Sequence, residues 1–292
     1  MGVVLMLTFA AFAPIIDVFA KFAAAEAPAA EITFARFAVQ TLLLVPVVIW
    51  RKSLIRMPLK DAALHGLRGV LMAIATVFFI AALKYMPIAD AIAIFFVEPM
   101  IVTVLSGLLL GEPVGWRRYA ASAVGFCGAL LVIQPSFVEL GWTSALPLGT
   151  AFTFAFYLIL TRMLAPRVDP FAMQAYSGLS GAVFIGGVLW LADGSGYSAF
   201  DPIWPSTYAL GLMVGVGVAA TISHLFLVYA FRYAPASSIA PLQYLEIVSA
   251  TLFGYWFFGD FPAPLKWVGV AIVIGSGLFI IARERRVSKA TG

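Results

Sequence analysis

This sequence of 292 residues has little of what a soluble protein needs. Only 11% of its residues are charged, whereas 63% are hydrophobic. A soluble domain carries about 25% charged residues, which form its hydrated surface. The single cysteine, Cys127, excludes an intramolecular disulfide. These shortages exclude secreted disulfide scaffolds, soluble enzymes and nucleic-acid-binding proteins.

Groups that carry catalysis are equally scarce. The chain has two histidines and contains neither a His-Glu-x-x-His nor a Gly-x-Ser-x-Gly motif. A zinc-ligand set and an exposed nucleophilic serine therefore cannot be assembled from recognised patterns. We predict that the protein is not an enzyme and that it uses no metal or other cofactor.

What the sequence does have is long apolar runs that recur from one end to the other. A bilayer core about 30 Å thick is crossed by roughly 20 apolar helical residues. The sequence therefore predicts an all-α, polytopic membrane protein with ten transmembrane helices. The predicted spans are 2–24, 31–50, 62–83, 87–110, 115–134, 144–165, 170–191, 207–231, 235–258 and 264–282.

Lysine and arginine are concentrated at alternate faces of these spans. One set of faces holds fourteen of them, whereas the opposite set holds only Lys84 and Lys266. Because short basic connections stay in the cytoplasm, we predict that both termini are cytoplasmic. The fourteen are Arg51, Lys52, Arg56, Lys60, Arg68, Arg117, Arg118, Arg162, Arg167, Arg232, Arg283, Arg285, Arg286 and Lys289.

The chain also contains a weak internal repeat, in which residues 78–112 align with residues 226–260 without gaps. Five spans make an odd number, so the second copy must enter the membrane inverted, as in many secondary transporters. We predict two five-helix repeats, residues 1–134 and 135–292, within one membrane domain. The strongest matches pair Glu98 with Glu246, and Leu110-Gly111-Glu112 with Phe258-Gly259-Asp260.

Two acidic residues of the repeat are the leading site candidates. Glu98 and Glu246 lie near the middle of their spans and are equivalent in the repeat, so we expect them to approach the same central region. Burying a charge there costs on the order of 2.5–3.5 kcal/mol on insertion scales. Such a carboxylate can bind a substrate ammonium, exchange a proton during coupling, or brace the core by hydrogen bonds.

Three further charged residues lie within spans. Arg36 either clamps a substrate carboxylate or forms an inter-helix salt bridge with Glu98 or Glu246. Asp17 and Lys21 are four residues apart and share a helix face. They either neutralise each other near the outer interface or line an outer vestibule.

The remaining candidates are prolines, aromatic residues and uncharged polar residues. Pro99 and Pro241 either break their helices beside a cavity or produce ordinary kinks. His224 is either a hydrogen-bonded core residue or part of a proton relay. Candidates that offer aromatic surface or hydrogen bonds to a substrate are Phe78, Phe79, Tyr157, Tyr229, Gln243 and Tyr244.

The sequence contains six short motifs: Arg36-Phe37, Tyr85-x-Pro87, Glu98-Pro99, Leu110-Gly111-Glu112, Pro241-Leu242-Gln243-Tyr244-Leu245-Glu246 and Gly259-Asp260. Together they resemble the motifs of the EamA-type branch of the drug/metabolite transporter superfamily. At Ile247 and Asp260 this chain departs from the family, which often has Pro and Glu there. The resemblance implies ten spans in a five-plus-five inverted repeat and the efflux or exchange of small metabolites, including amino acids.

We therefore predict a secondary transporter that works by alternating access and exports amino acids across a bacterial-type inner membrane. The alternative is a carrier of another small metabolite or organic cation, which can work in the uptake direction. A channel is disfavoured because selectivity filters usually require rings built by oligomeric symmetry. The expected partners are a zwitterionic small molecule and the lipid bilayer, with proton coupling as a further expectation and the oligomeric state left open.

Overall fold

The computed structural model describes residues 1–53, 59–86, 88–112, 114–133, 141–197, 199–258, 267–276, 278–279 and 282. All regular elements in these ranges are helices, which confirms the predicted all-α class. The helices are α1 (Gly2–Ala23), α2 (Ala29–Trp50), α3 (Leu59–Ala82), α4 (Ile88–Phe95), α5 (Glu98–Leu110), α6 (Trp116–Ile133), α7 (Ala145–Leu164), α8 (Pro170–Ala192), α9 (Thr207–Tyr233), α10 (Ala236–Ile239), α11 (Glu246–Phe258) and α12 (Trp267–Ser276).

Six helices among the described residues are long and apolar enough to cross a membrane. They are α1, α2, α3, α8, α9 and Gly141–Leu164, in which a 3-10 turn is continued by α7. Large apolar side chains in the middle of these helices, such as Leu42, Val183 and Ile222, are exposed. A helix that is apolar on its outer face as well as its inner face is suited to lipid. The chain is therefore a multi-pass membrane protein.

Two of the predicted spans are each divided into two helices. In the span predicted at 87–110, α4 ends at Phe95 and α5 begins at Glu98 after a turn at Phe96 and Val97. In the span predicted at 235–258, α10 is followed by a 3-10 segment, Ala240–Leu245, and α11 begins at Glu246. The two glutamates that the repeat makes equivalent thus occupy the same position, the first residue of the second helix.

Helices of the first half pack mainly against helices of the second half. The largest contacts are α1 with α9, α2 with α8, and α3 with α7. The contact of α3 with α8 has a counterpart in α2 with α9, and that of α5 with α7 has a counterpart in α11 with α1. If each helix is exchanged with its equivalent in the predicted repeat, the pair of α2 with α8 maps onto itself, and each of the other pairs maps onto another observed pair.

Contacts between connections group the helix ends at two opposite ends of the bundle. At the basic end, Arg51 lies 3.9 Å from Asp169, and Arg232 donates to the carbonyl of Val168. At the acidic end, the backbone N–H of Ile203 donates to Glu31. We define the basic end by Arg51, Arg118, Arg162 and Arg232, and the acidic end by Glu26, Glu31, Asp193 and Asp201.

Candidate functional site

A cavity of about 110 Å³ lies between the two halves of the bundle. Its wall is mostly apolar and aromatic, and it also carries one arginine, one histidine, two carboxylates, two threonines and one glutamine. Both halves of the chain contribute to it. The lining residues are Phe9, Ala13, Ile16, Asp17, Ala20, Arg36, Met72, Ala75, Thr76, Phe79, Ile80, Ile92, Phe95, Thr150, Phe154, Val216, His224, Gln243 and Glu246.

Arg36 is the cationic group of the cavity, and only 2% of its surface is exposed. Its Nη1 donates to Thr76 Oγ1 over 2.6 Å, and its Nη2 donates to His224 Nε2 over 3.4 Å. The Nε atom has no acceptor among the described residues. The salt bridge to Glu98 or Glu246 that the sequence offered as one alternative is absent from the described part of the chain, where Arg36 is held by neutral acceptors.

The hydrogen bonds of His224 determine which of its two ring nitrogens carries the proton. Its Nδ1 lies 3.0 Å from the carbonyl oxygen of Ala220, which can only accept a hydrogen bond. Because the guanidinium of Arg36 can only donate, Nε2 must be the acceptor and Nδ1 must carry the proton. The neutral ring packs edge-on against Phe9 and Phe154. His224 is thus a buried, hydrogen-bonded residue that also lines the cavity.

Asp17 and Glu246 are the two acidic residues of the cavity wall. Neither side chain forms a hydrogen bond or an ion pair with another described residue, and both are half-buried. Asp17 lies within electrostatic reach of both Arg36 and Glu246. Two carboxylates that share one low-dielectric space repel each other, so a cation placed between them is favoured. Lys21 lies one turn beyond Asp17 and does not line the cavity.

Glu98 lies behind the cavity wall rather than in it. Its side chain is fully buried, and Gln243, which does line the cavity, donates from Nε2 to Oε1 over 3.5 Å. The other carboxylate oxygen has no partner among the described residues. Pro99 occupies the first turn of α5, where its missing N–H is not needed for the helix. The two equivalent glutamates therefore have different surroundings.

The 3-10 segment Ala240–Leu245 places Gln243 and Tyr244 on different sides. Pro241 lies at the start of this segment. Gln243 faces the cavity, whereas the buried Tyr244 packs on Phe96, with a ring separation of 5.6 Å, and against the backbone of Gly125. Tyr244 is thus not among the residues that line the cavity.

Tyr157 belongs to a second buried polar cluster that the sequence did not reveal. Arg68, on α3, is fully buried and donates five hydrogen bonds. The assignment of Arg68 to a basic face was therefore wrong. The sequence does contain a signal for this burial, because Arg68 lies well inside the span predicted at 62–83. Its acceptors are Thr161 Oγ1 (2.8 Å), Met173 O (3.1 Å), Ser177 Oγ, Tyr157 Oη (2.8 Å) and Gln174 Oε1 (2.6 Å).

Two of the remaining aromatic candidates lie away from the cavity. Phe79 lines it, but Phe78 packs over Gly149, where a β-carbon would approach its ring to 2.8 Å. Tyr229 packs against Phe171 and Tyr233 near the basic end. The sequence did not single out Thr76, Thr150 and the aromatic wall of Phe9, Phe95 and Phe154 as site residues, because isolated apolar or hydroxyl residues in spans give no distinctive signal.

Comparison with known proteins gives one family and a consistent fold. A model of the EamA-like transporter family matches residues 1–134 and 141–282. A riboflavin transporter of Rhizobium johnstonii is 31% identical over 76% of this chain and 71% of its own length. An S-adenosylmethionine uptake transporter of Rickettsia prowazekii is 25% identical over 92% and 88%.

Two further matches cover almost the whole chain. A pseudopaline exporter of Pseudomonas aeruginosa is 26% identical over 93% of both chains. One crystal structure superposes with a TM-score of 0.79 and 18% identity, covering 98% of each chain. At that identity the crystal structure supports the fold alone.

Proposed function

Because this chain belongs to the EamA-like transporter family and is a small-metabolite transporter rather than an enzyme, as predicted, we propose that it exports amino acids or closely related zwitterions. In this proposal it is a secondary carrier of the inner membrane that works by alternating access. Its ten spans form two inverted repeats, residues 1–134 and 135–292, and both termini are cytoplasmic.

The alternating-access part of the proposal is supported by the pairing of the helices. Contacts of α1 with α9 and of α3 with α7 exchange with each other when the two halves are swapped, and the contact of α2 with α8 maps onto itself. The family model also matches each half separately. Two similar halves that line one central cavity can exchange conformations, and this exchange exposes the cavity to one side of the membrane and then to the other.

One observation carries the choice of substrate class: opposite charges line a single cavity without pairing with each other. Among the described residues, Arg36 Nε has no acceptor, and neither Asp17 nor Glu246 pairs with Arg36. A free guanidinium is suited to a carboxylate, and two mutually repelling carboxylates are suited to an ammonium. An α-amino acid carries both groups at short range and can neutralise both sides of the cavity.

The alternative is uptake of a larger heterocyclic metabolite. The relatives named above include a riboflavin transporter and an S-adenosylmethionine uptake transporter. The rings of Phe9, Phe79, Phe95 and Phe154 provide an aromatic wall on which a flat heterocycle can stack. S-adenosylmethionine contains both an α-amino acid group and a flat heterocycle. It can therefore pair with the charged residues of the cavity and stack on the aromatic wall.

The direct test is counterflow in proteoliposomes. We expect saturable exchange of at least one radiolabelled zwitterion from a panel of amino acids, S-adenosylmethionine and riboflavin, measured with and without a pH gradient. Dependence of the rate on the gradient would identify proton coupling. Exchange of riboflavin but of no compound with an α-amino acid group would refute the proposed substrate class.

The key variant is Glu246→Gln, which removes a cavity charge with little change in shape. We expect counterflow to fall by about 100-fold, since a buried ammonium that lacks its counter-charge loses several kcal/mol. The matched control is Glu26→Gln, which makes the same change at the exposed acidic end, where Glu26 accepts from Ser206. Equal rates in wild type and Glu246→Gln would exclude Glu246 from substrate binding and coupling.

A further inference from the structure

Glu112 lies at the centre of a hydrogen-bonded cluster at the basic end that joins the two halves of the chain. Its Oε1 accepts from Arg162 Nε over 3.1 Å and from the backbone N–H of Ala236 over 3.0 Å. Its Oε2 accepts from the backbone N–H and the hydroxyl of Ser237, over 3.0 and 2.9 Å. One carboxylate from the first half thus receives four hydrogen bonds from the second half.

Neighbouring arginines extend this cluster to further helices. Arg162 Nη1 donates to the carbonyl of Phe231 over 2.8 Å, which links α7 to the end of α9. Arg118 Nη1, at the start of α6, donates to the hydroxyl of Ser237 over 2.9 Å. The side chain of Glu112 is only 10% exposed. A carboxylate with this many charge-assisted and backbone hydrogen bonds holds its neighbours firmly.

The local sequence turns the chain so that Glu112 can reach this position. Gly111 ends α5 in the left-handed region, with φ of +65°, which glycine adopts without steric cost. The chain then leaves the helix axis toward α10, whose first residues provide the two backbone donors. The turn and the acceptor are adjacent in sequence, so the geometry is encoded locally.

The cavity and the Glu112 cluster lie toward opposite ends of the bundle. Cavity residues on α3, from Met72 to Ile80, lie in its second half, and those on α7, Thr150 and Phe154, lie in its first half. Both helix segments are nearer the acidic end, because α3 ends there and α7 begins there. Arg162 lies near the opposite end of the same helix α7.

Packed apolar residues fill the space on the basic side of the cavity. Met6, Phe231, Ile239 and Val102 are buried there in one continuous core. The start of α1 closes against the connection between α9 and α10, because a β-carbon on Gly2 would lie 2.6 Å from Ala234 Cβ. In this conformation the basic end is therefore closed by tight packing as well as by the Glu112 cluster.

We propose that Glu112, Arg162 and Ser237 form a gate that closes the cavity at the basic end and that must break for the cavity to open there. The inference rests on the alternating access proposed above, and it does not depend on which substrate is carried. Each of the four hydrogen bonds to Glu112 crosses from one half to the other, so movement of the halves at this end cannot preserve them. The cluster therefore sets the balance between the two conformations.

Sided cysteine labelling without substrate tests the gate. In a Cys127→Ser background, the cavity residue Ala13→Cys reports access, and Trp116→Cys marks the basic end in a parallel sample. The readout is the ratio of alkylation rates at position 13 when a membrane-impermeant thiol reagent is added from the basic or the acidic side. We expect Glu112→Gln to raise this ratio by about tenfold, since losing hydrogen bonds to a charged group shifts a two-state equilibrium by that order.

Two further variants separate gating from a loss of folded protein. Ser237→Ala removes the two hydrogen bonds of the hydroxyl, one to Glu112 and one from Arg118, and keeps the backbone hydrogen bond. We expect it to raise the ratio by about threefold, less than Glu112→Gln, because three of the four hydrogen bonds to Glu112 remain. Asp169→Asn is the matched control, because it neutralises an acid at the same end that caps α8 and lies 3.9 Å from Arg51. We expect it to leave the ratio at the wild-type value.

The proposal is overturned if Ser237→Ala and any folded Glu112→Gln protein both keep the wild-type ratio, or if Asp169→Asn changes it as much as they do. It is also overturned if wild-type position 13 reacts equally fast from both sides. A changed ratio in a protein that exchanges no zwitterion supports the gate and refutes only the proposed substrate class.

Discussion

Two buried arginines in this molecule show how the same side chain serves two purposes. Arg68 is fully buried and donates five hydrogen bonds to neutral oxygens of α7 and α8. Arg36 is almost equally buried, at 2% exposure. Among the residues that the structure describes, however, it donates only to Thr76 and His224, and its Nε has no acceptor. Arg36 faces the cavity, and Arg68 does not.

Both arginines are buried, so burial does not distinguish a structural arginine from a ligand-binding one. What distinguishes them is whether every guanidinium N–H has an acceptor within the protein. Every N–H that the protein satisfies is lost to a substrate, and a buried donor left without an acceptor costs about 1–3 kcal/mol. The unsatisfied N–H of Arg36 lies at the cavity, where a substrate carboxylate can accept its hydrogen bond and so remove this cost. The cluster around Arg68 has no such deficit, so we assign it to holding α3 against α7 and α8.

The largest effect is expected from Arg68→Lys, which keeps the charge but cannot satisfy five acceptors on two helices. Leaving a buried charge and its partners poorly matched costs about 3–5 kcal/mol. We therefore expect little monodisperse protein in detergent and a strongly lowered thermal unfolding midpoint. The matched control, Arg51→Lys at the exposed basic end, should behave as wild type. If Arg68→Lys is as stable as the control, the distinction between the two arginines fails.

A much smaller effect is expected from Tyr157→Phe, which deletes one acceptor of Arg68 and leaves the other four. The loss of one buried hydrogen bond corresponds to about 1 kcal/mol, so we expect a slightly lower unfolding midpoint and unchanged counterflow kinetics. The control is Tyr229→Phe, because Tyr229 lies outside both the Arg68 cluster and the cavity around Arg36. It should change neither the unfolding midpoint nor the counterflow kinetics. A large loss of transport in Tyr157→Phe would place Tyr157 in the substrate path.

The sequence predicts the helical class well because long apolar runs and charge placement are local properties of the chain. Spans around α1, α2, α3, α7, α8 and α9 correspond to helices of membrane-crossing length. The pairing of α1 with α9 and of α3 with α7 is a long-range property that one sequence does not state. The ten-span count and the cytoplasmic position of both termini stay predictions, and residues such as Pro87 and Asp260 lie outside the described part of the chain.

The candidate site could be predicted only in part. Asp17, Arg36, His224, Gln243 and Glu246 were singled out because charged and polar groups are costly in a membrane, and all five line the cavity. The cost of burying a polar group does not reveal whether another helix supplies its hydrogen-bond partners.

That limitation explains the residues whose surroundings differ from the expectation. Tyr157 was singled out for the same reason as Arg36, but its partner, Arg68, had been counted with the loop charges. Glu98 matches Glu246 in the repeat, yet Glu98 lies behind Gln243. The partners of Arg68 and Glu98 come from the other half of the chain, and sequence spacing does not reveal them.

The central claim is that Arg36 faces the carboxylate of a zwitterionic substrate. Its most direct test is equilibrium binding of a transported zwitterion and of its uncharged carboxamide to wild-type and Arg36→Gln protein. We expect wild type to prefer the carboxylate by about 10- to 100-fold, the value of one or two hydrogen bonds to a charged group. Arg36→Gln should bind both compounds with nearly equal affinity. A variant that keeps the full preference for the carboxylate would contradict the account.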